Sequence, residues 1–183
     1  MNFTLFYEGN LKANGSTADK QALRRGFLPQ IKVLLETNKT LYHAIVEDCE
    51  VCGNPNPISR GSFSFIPIVS THFSMFAAVS VTLLRPGPLG RLVTSGGDLD
   101  NCLKTLLDSL SIPPHDNQIP SGDSPSTDER PFYCVLEDDC LIQKVSIESR
   151  SLLREDATNS FVVALIDVSV SFHSRDFHNL TLS

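Results

Sequence analysis

Four charged side chains in the middle of the chain have the types and spacing of a phosphate-handling site. Asp98, Asp100, Lys104 and Asp108 lie within Gly97–Leu110, with Asn101 among them. At about 100° per residue, Asp100, Lys104 and Asp108 fall on one arc of a helix, each a turn after the last. Leu99, Cys102, Leu103, Leu106, Leu107 and Leu110 fill the neighbouring arc, the apolar face of an amphipathic helix. Carboxylates leaving one helical end supply the hard oxygen ligands that Mg²⁺ requires. A lysine one turn on is placed to neutralise a phosphate. The same spacing also makes ordinary i,i+4 ion pairs, with Asp98 capping the helix behind Gly96-Gly97.

A second acidic group, Glu137-Asp138-Asp139, stands between Leu136 and the apolar run from Leu141. Alone it reads as a solvated turn; beside the helix it reads as further oxygen ligands. Acids gathered without a cation repel by roughly 1–4 kcal/mol per pair at 4 Å, so a cation is their natural partner.

The elements that must position these residues are legible in outline. Phe3–Tyr7 reads as a first strand. Ala18 to about Glu36 reads as a helix, N-capped by Ser16 or Thr17, with a kink or break expected near Phe27 because of Pro29. Leu41–Val46 fits either a strand or a helical turn. Phe63–Val69 and Met75–Leu84 alternate as strands, and Pro67 marks the first as an edge or bulged strand. Phe132–Leu136 leads into the acidic group. Leu141–Ser149 and Ser160–Phe172 read as a final strand pair, and 173–183 as a tail. Between 113 and 131 five prolines interrupt a polar stretch with no apolar period, which predicts a flexible excursion. An irregular insertion is expected around 38–60. Within it Cys49 and Cys52 have the spacing of half a zinc knuckle, with only His43 and His72 to complete it. The expectation is one α+β domain over 1–183, a mixed or antiparallel sheet with two principal helices packed on it.

Asp98-Leu-Asp-Asn101, with Lys104 three residues on and Asp108 four beyond, resembles the signature of RusA-family Holliday-junction resolvases. Val79–Pro86 is similar to that family's strand closing on a proline, and Leu136–Ile142 to its acidic pair before a strand. The likeness spans roughly Val79 to Glu148; the proline-rich stretch departs from it. The resemblance implies a Mg²⁺-dependent, structure-selective endonuclease that cuts four-way DNA junctions as a homodimer. Asp98, Asp100, Lys104 and Asp139 would be catalytic. Asp98, Asp100 and Asp139, with Asp138 as a fourth, would hold one or two Mg²⁺ ions, Mn²⁺ being an alternative. A catalytically idle DNA- or protein-binding module, or a nuclease for other branched DNA, is the rival reading.

Charge is divided along the chain. The net charge is −6, the wrong sign for a general nucleic-acid binder. Yet residues 1–46 hold six Lys and Arg against three acids, while 97–140 hold ten acids against two bases. This division points to a basic DNA-contact arm carrying Lys12, Lys20, Arg24 and Arg25. Five cysteines, an odd number set mostly among apolar residues, suit a reducing compartment. With no apolar run of membrane-spanning length and no signal-like start, the expected location is cytoplasmic, away from membranes.

Overall fold

Alternation builds the centre of the fold. In β4 (Met75–Arg85) the odd-numbered residues Met75, Ala77, Val79, Val81 and Leu83 are all buried, because a period of two puts them on one face. In the computed structural model, which describes residues 1–47, 57–86, 98–154 and 161–173, β4 lies inside a four-stranded sheet. The side chains of Glu47 and Asp98 are outside that description, as are Cys49, Cys52 and the tail from 174. β7 (Phe161–Phe172) runs antiparallel to β4 on one side and β6 (Ile142–Ser151) parallel to it on the other. β1 (Asn2–Asn10) adds antiparallel to β7, giving the order β1-β7-β4-β6.

The expected pairing of the last two strands is therefore corrected: β6 and β7 never pair, since β4 stands between them. β4 buries a complete face and takes an interior place, whereas β6, exposed over Gln143–Ser146, takes an edge.

A second, three-stranded sheet joins β2 (Ile58–Arg60), β3 (Phe63–Val69) and β5 (Phe132–Leu136) in the order β2-β3-β5, with β5 parallel to β3. Phe63, Phe65 and Phe132 pack together with ring centroids 5.2–5.6 Å apart. β3 is central in this sheet, yet β2 covers only Phe63–Phe65. Pro67 thus lies beyond the reach of β2 and stands in register with Cys134 of β5 alone.

Two principal helices complete the α+β architecture. α1 (Thr17–Thr37) opens on a capping box in which Ser16 and Asp19 each bond the other's backbone N–H. It continues through Pro29 without the expected break. Pro29 is exposed, so water can reach the carbonyl it leaves unpaired. Leu23, Phe27, Leu28, Ile31 and Leu35 form its buried face. The stretch after it is more ordered than an irregular insertion: α2 (Lys39–Tyr42) leads into a π turn over His43–Glu47, which resolves Leu41–Val46 as helical. α3 (Asp98–Leu110) follows the expected wheel, with Leu99, Leu106 and Leu110 buried and Cys102, Leu103 and Leu107 half-buried. Gly15 joins the two helices. Its N–H donates to Thr105 Oγ1 at 2.9 Å, and an added Cβ would come within 2.6 Å of the Thr105 methyl. No helix among the described residues is long and apolar enough to cross a membrane.

The proline-rich stretch is the largest departure from expectation. It is held as a strap, not released as an excursion. It contains 3₁₀ turns at Asp116–Gln118 and Thr127–Glu129, the second with a Ser126/Glu129 capping box. Arg25 of α1 latches it, donating to both oxygens of Asp123, to Glu129 and to the Ser124 carbonyl, while stacking 5.7 Å from the Phe63 ring. Arg60, Gly61 and Ser62 add bonds to Pro113, Asp116 and Asp123. Composition cannot register such bonds because their partners lie elsewhere in the chain. Replacing 114–130 by a short Gly/Ser linker is accordingly expected to lower the melting temperature by about 4–8 °C, corresponding to roughly 2 kcal/mol. Differential scanning calorimetry checks this, and an unchanged melt would return the strap to a passive role.

Candidate functional site

The path of the chain out of α3 delivers the second acidic group to it. Ser111 pairs with Leu136 in a parallel bridge, and Ile112 N–H donates to the Leu136 carbonyl at 3.0 Å. The end of α3 is thereby tied to the residue just before Glu137-Asp138-Asp139. Glu137 turns away, its carboxylate accepting from Thr71 N–H and Oγ at 2.9 and 3.0 Å. Asp138 and Asp139 turn the other way, into a 3₁₀ turn over Asp139–Leu141, with Asp138 accepting from Cys140 N–H at 2.9 Å.

The result is a cleft of about 290 Å³. Asp138 and Asp139 line one wall, Lys104 and Asp108 of α3 another, and Lys20 and Arg24 of α1 a third, with Pro114 and Gln118 of the strap at the rim. Sequence separation therefore hides a real meeting: Lys104 and Asp139 share this cleft.

Its lining sets three carboxylates, Asp108, Asp138 and Asp139, against three cations, Lys20, Arg24 and Lys104. Partial burial against the cleft wall raises the Asp139 pKa above the ordinary carboxylate value, and the charges of Asp138 and Asp108 raise it further. Asp138 moves the opposite way, lowered by its hydrogen bonds from Cys140. Lys20 meets Asp108 at 2.7 Å.

That ion pair corrects one reading. Asp108 does not pair with Lys104 along its own helix; it bonds across to α1 and faces Asp139. It is the residue that spacing alone undervalued. Asp100 is exposed one turn before Lys104 and is not part of the cleft lining. The side chain of Asp98 lies outside the described residues. Among the described residues no three His, Cys, Asp or Glu side chains form a group able to hold a metal.

The basic arm is also redrawn. Arg24 is a correction: it is only 4% exposed, with Nε donating to the Ser111 carbonyl at 2.9 Å and Nη2 to the Asp108 carbonyl at 2.7 Å. It ties α1 to the end of α3 instead of meeting solvent. Arg25 is engaged by the strap. Lys12, far more exposed, pairs with Asp19 at 2.8 Å and, with Ser16, lowers that carboxyl to about 2. Lys20 pairs with the Asp108 carboxylate and lines the cleft. The surplus of cations in this part of the sequence is therefore largely used within the fold.

Compared with known proteins, the chain matches no family model, no curated protein and no solved structure.

Proposed function

We propose that this protein is a Mg²⁺-dependent, structure-selective endonuclease acting on branched DNA, four-way junctions in the first place, as a homodimer in the cytoplasm. The observation that carries this reading is the meeting of Asp138 and Asp139 with Lys104 in one cleft, across a long stretch of sequence. Two further points support it. Burial and neighbouring acids disfavour the charged form of Asp139, and a hard cation would offset that cost. The motif Asp98-Leu-Asp-Asn101 through Asp108 resembles RusA-family resolvases.

Of the ligands the resemblance implies, Asp138 and Asp139 line the cleft and would hold the ion from the turn before β6, with Asp98 joining them from the first turn of α3; Asp100 lies outside the cleft lining. An ion held there would supply polarisation of a phosphoryl oxygen and activation of a water. Lys104, one turn from Asp100, counters charge building on the scissile phosphate. Lys20 holds Asp108 on the α1 side, keeping that carboxylate from adding its full charge to the site. Arg24, through Ser111 and the Asp108 carbonyl, keeps the end of α3 against the acidic turn.

Incubating the protein with a labelled four-way junction and a linear duplex of the same sequence tests the reading. Paired nicks in the junction alone, present with Mg²⁺ and lost in EDTA, are expected. Equal cutting of both substrates would make it a general nuclease. Binding without cutting would make it the idle module.

Lys104 separates chemistry from folding. Its side chain is exposed, so Lys104→Ala is expected to change stability by no more than about 0.5 kcal/mol. Cleavage should fall by roughly 10²–10³-fold. Parallel denaturant melts and single-turnover cleavage measure the two effects, and proportionate losses in both would make the lysine structural.

A further inference from the structure

The four-stranded sheet has two edges, and they are finished differently. At β1 the Gln30 amide stands in for a neighbouring strand: it accepts from Phe6 N–H at 2.8 Å and donates to the Phe6 carbonyl at 2.7 Å. At the other edge β6 pairs with β4 alone, and among the described residues no strand joins its outer side. A long edge of this kind is a template for another chain unless something blunts it.

The two faces of β6 say which chain fits. On the inward face Val145 and Ile147 stand in register with Val79 and Val81 of β4. Val79 and Val81 are fully buried, but Val145 is 43% exposed, so the apolar row of the core runs off the open edge. On the outward face Lys144, Ser146, Glu148 and Arg150 alternate along the strand.

We propose that β6 pairs antiparallel with the β6 of a second copy of this chain, about a two-fold axis at Ser146. In that register Lys144 stands opposite Glu148 of the second copy, and Glu148 opposite its Lys144. Val145 and Ile147 cover one another in the same way, continuing the core across the axis. Ser146 meets its own counterpart. Sliding the second copy by two residues one way opposes Lys144 to Arg150; sliding it the other way removes both ion pairs. A register about Ser149 would also oppose Glu148 to Arg150, residues that already pair within one strand at 2.9 Å, but it leaves Val145 uncovered; the register about Ser146 both opposes unlike charges and covers Val145. A two-fold contact requires such self-complementarity of a single surface.

The pairing would join the sheets of both copies into one. Asp138 and Asp139 lead into β6, so the two clefts lie beyond opposite ends of the shared strands. The two Ile142 residues are then roughly 26 Å apart at about 3.3 Å per residue. The interface rests on the strand edge and its charges, and its test needs no cleavage assay.

Sedimentation equilibrium of the full chain is expected to show a dimer. Lys144→Glu should weaken dimerisation on the order of tenfold, because two attractive cross-strand pairs become repulsive. The double exchange Lys144→Glu/Glu148→Lys should restore it. Both sites are exposed, and thermal melts verify that each variant stays folded. Under mild oxidation Ser146→Cys should give a covalent dimer, since directly opposed residues in an antiparallel pair fall within disulfide range. Made in a Cys140→Ser background, because Cys140 is exposed, the chain without Ser146→Cys and the chain with Gln143→Cys, whose residue does not meet itself, should not. A monomer at every concentration would overturn the proposal. So would a dimer that is indifferent to Lys144→Glu and that the Ser146→Cys substitution fails to cross-link.

Discussion

Replacing Asp139 by asparagine is expected to abolish Mg²⁺-dependent junction cleavage, by at least about a hundredfold, and to leave the fold as stable as before or more so. The two halves of this expectation have one physical source. Contact with the cleft wall, then the charges of Asp138 and Asp108, hold the Asp139 pKa above its ordinary value. The folded chain therefore binds more protons than the unfolded chain in that window. Stability contributed by this group is complete below the unfolded pKa and is lost as pH rises through the raised folded one. At neutral pH the ionised carboxylate is a net cost to folding, which the amide removes.

Melts of both proteins across the acidic range read this directly. The gain in stability on lowering pH that belongs to Asp139 should be present in the difference between them. Mg²⁺ should raise the melting temperature of the unsubstituted chain and not of the variant, because a ligand that binds only the folded state stabilises it. A variant that cleaves normally and unfolds more easily would make Asp139 structural and remove the basis of the proposed site.

Arg24→Ala is expected to cost roughly 3–5 kcal/mol. Its guanidinium is 4% exposed and serves the Ser111 and Asp108 carbonyls with two charge-assisted bonds. Truncation leaves the buried Ser111 carbonyl and the part-buried Asp108 carbonyl without this donor, at up to about 1–3 kcal/mol each, and opens a void beside α3. Burial already presses the Arg24 pKa below its usual value, so the charge is retained for what it bonds and not for exposure to a ligand. Arg24→Lys should recover only part of the loss, since an ammonium cannot reproduce the fork. Urea denaturation decides the matter: a change under about 1 kcal/mol would release Arg24 from this structural duty and return it to the DNA-contact arm.

Local pattern determined the elements and the α+β class. The alternation of Met75–Leu84, the apolar arc of Leu99–Leu110, the Ser16 cap and the bounds of Phe63–Val69 each depend on residues within a few positions of one another, which spacing records. The roles of charged residues depend on who arrives from elsewhere, and spacing is silent there. Arg24 and Arg25 are adjacent in sequence, yet Arg24 is buried against the end of α3 and Arg25 faces the strap. Asp123 and Glu129 look like loop acids until Arg25 is brought to them. Asp108 has the right offset to pair with Lys104 and instead bonds Lys20, because the packing of α1 on α3 offers a partner its own helix does not. The strand pairing follows the same logic: β6 and β7 are neighbours in sequence, but β4, with one face buried from Met75 to Leu83, separates them. The acids of the turn before β6 were visible as types from the start. Only the tie between Ser111 and Leu136 decided that they face Lys104 and Asp108, since a bridge between the end of a helix and the end of a distant strand leaves no periodic trace in either.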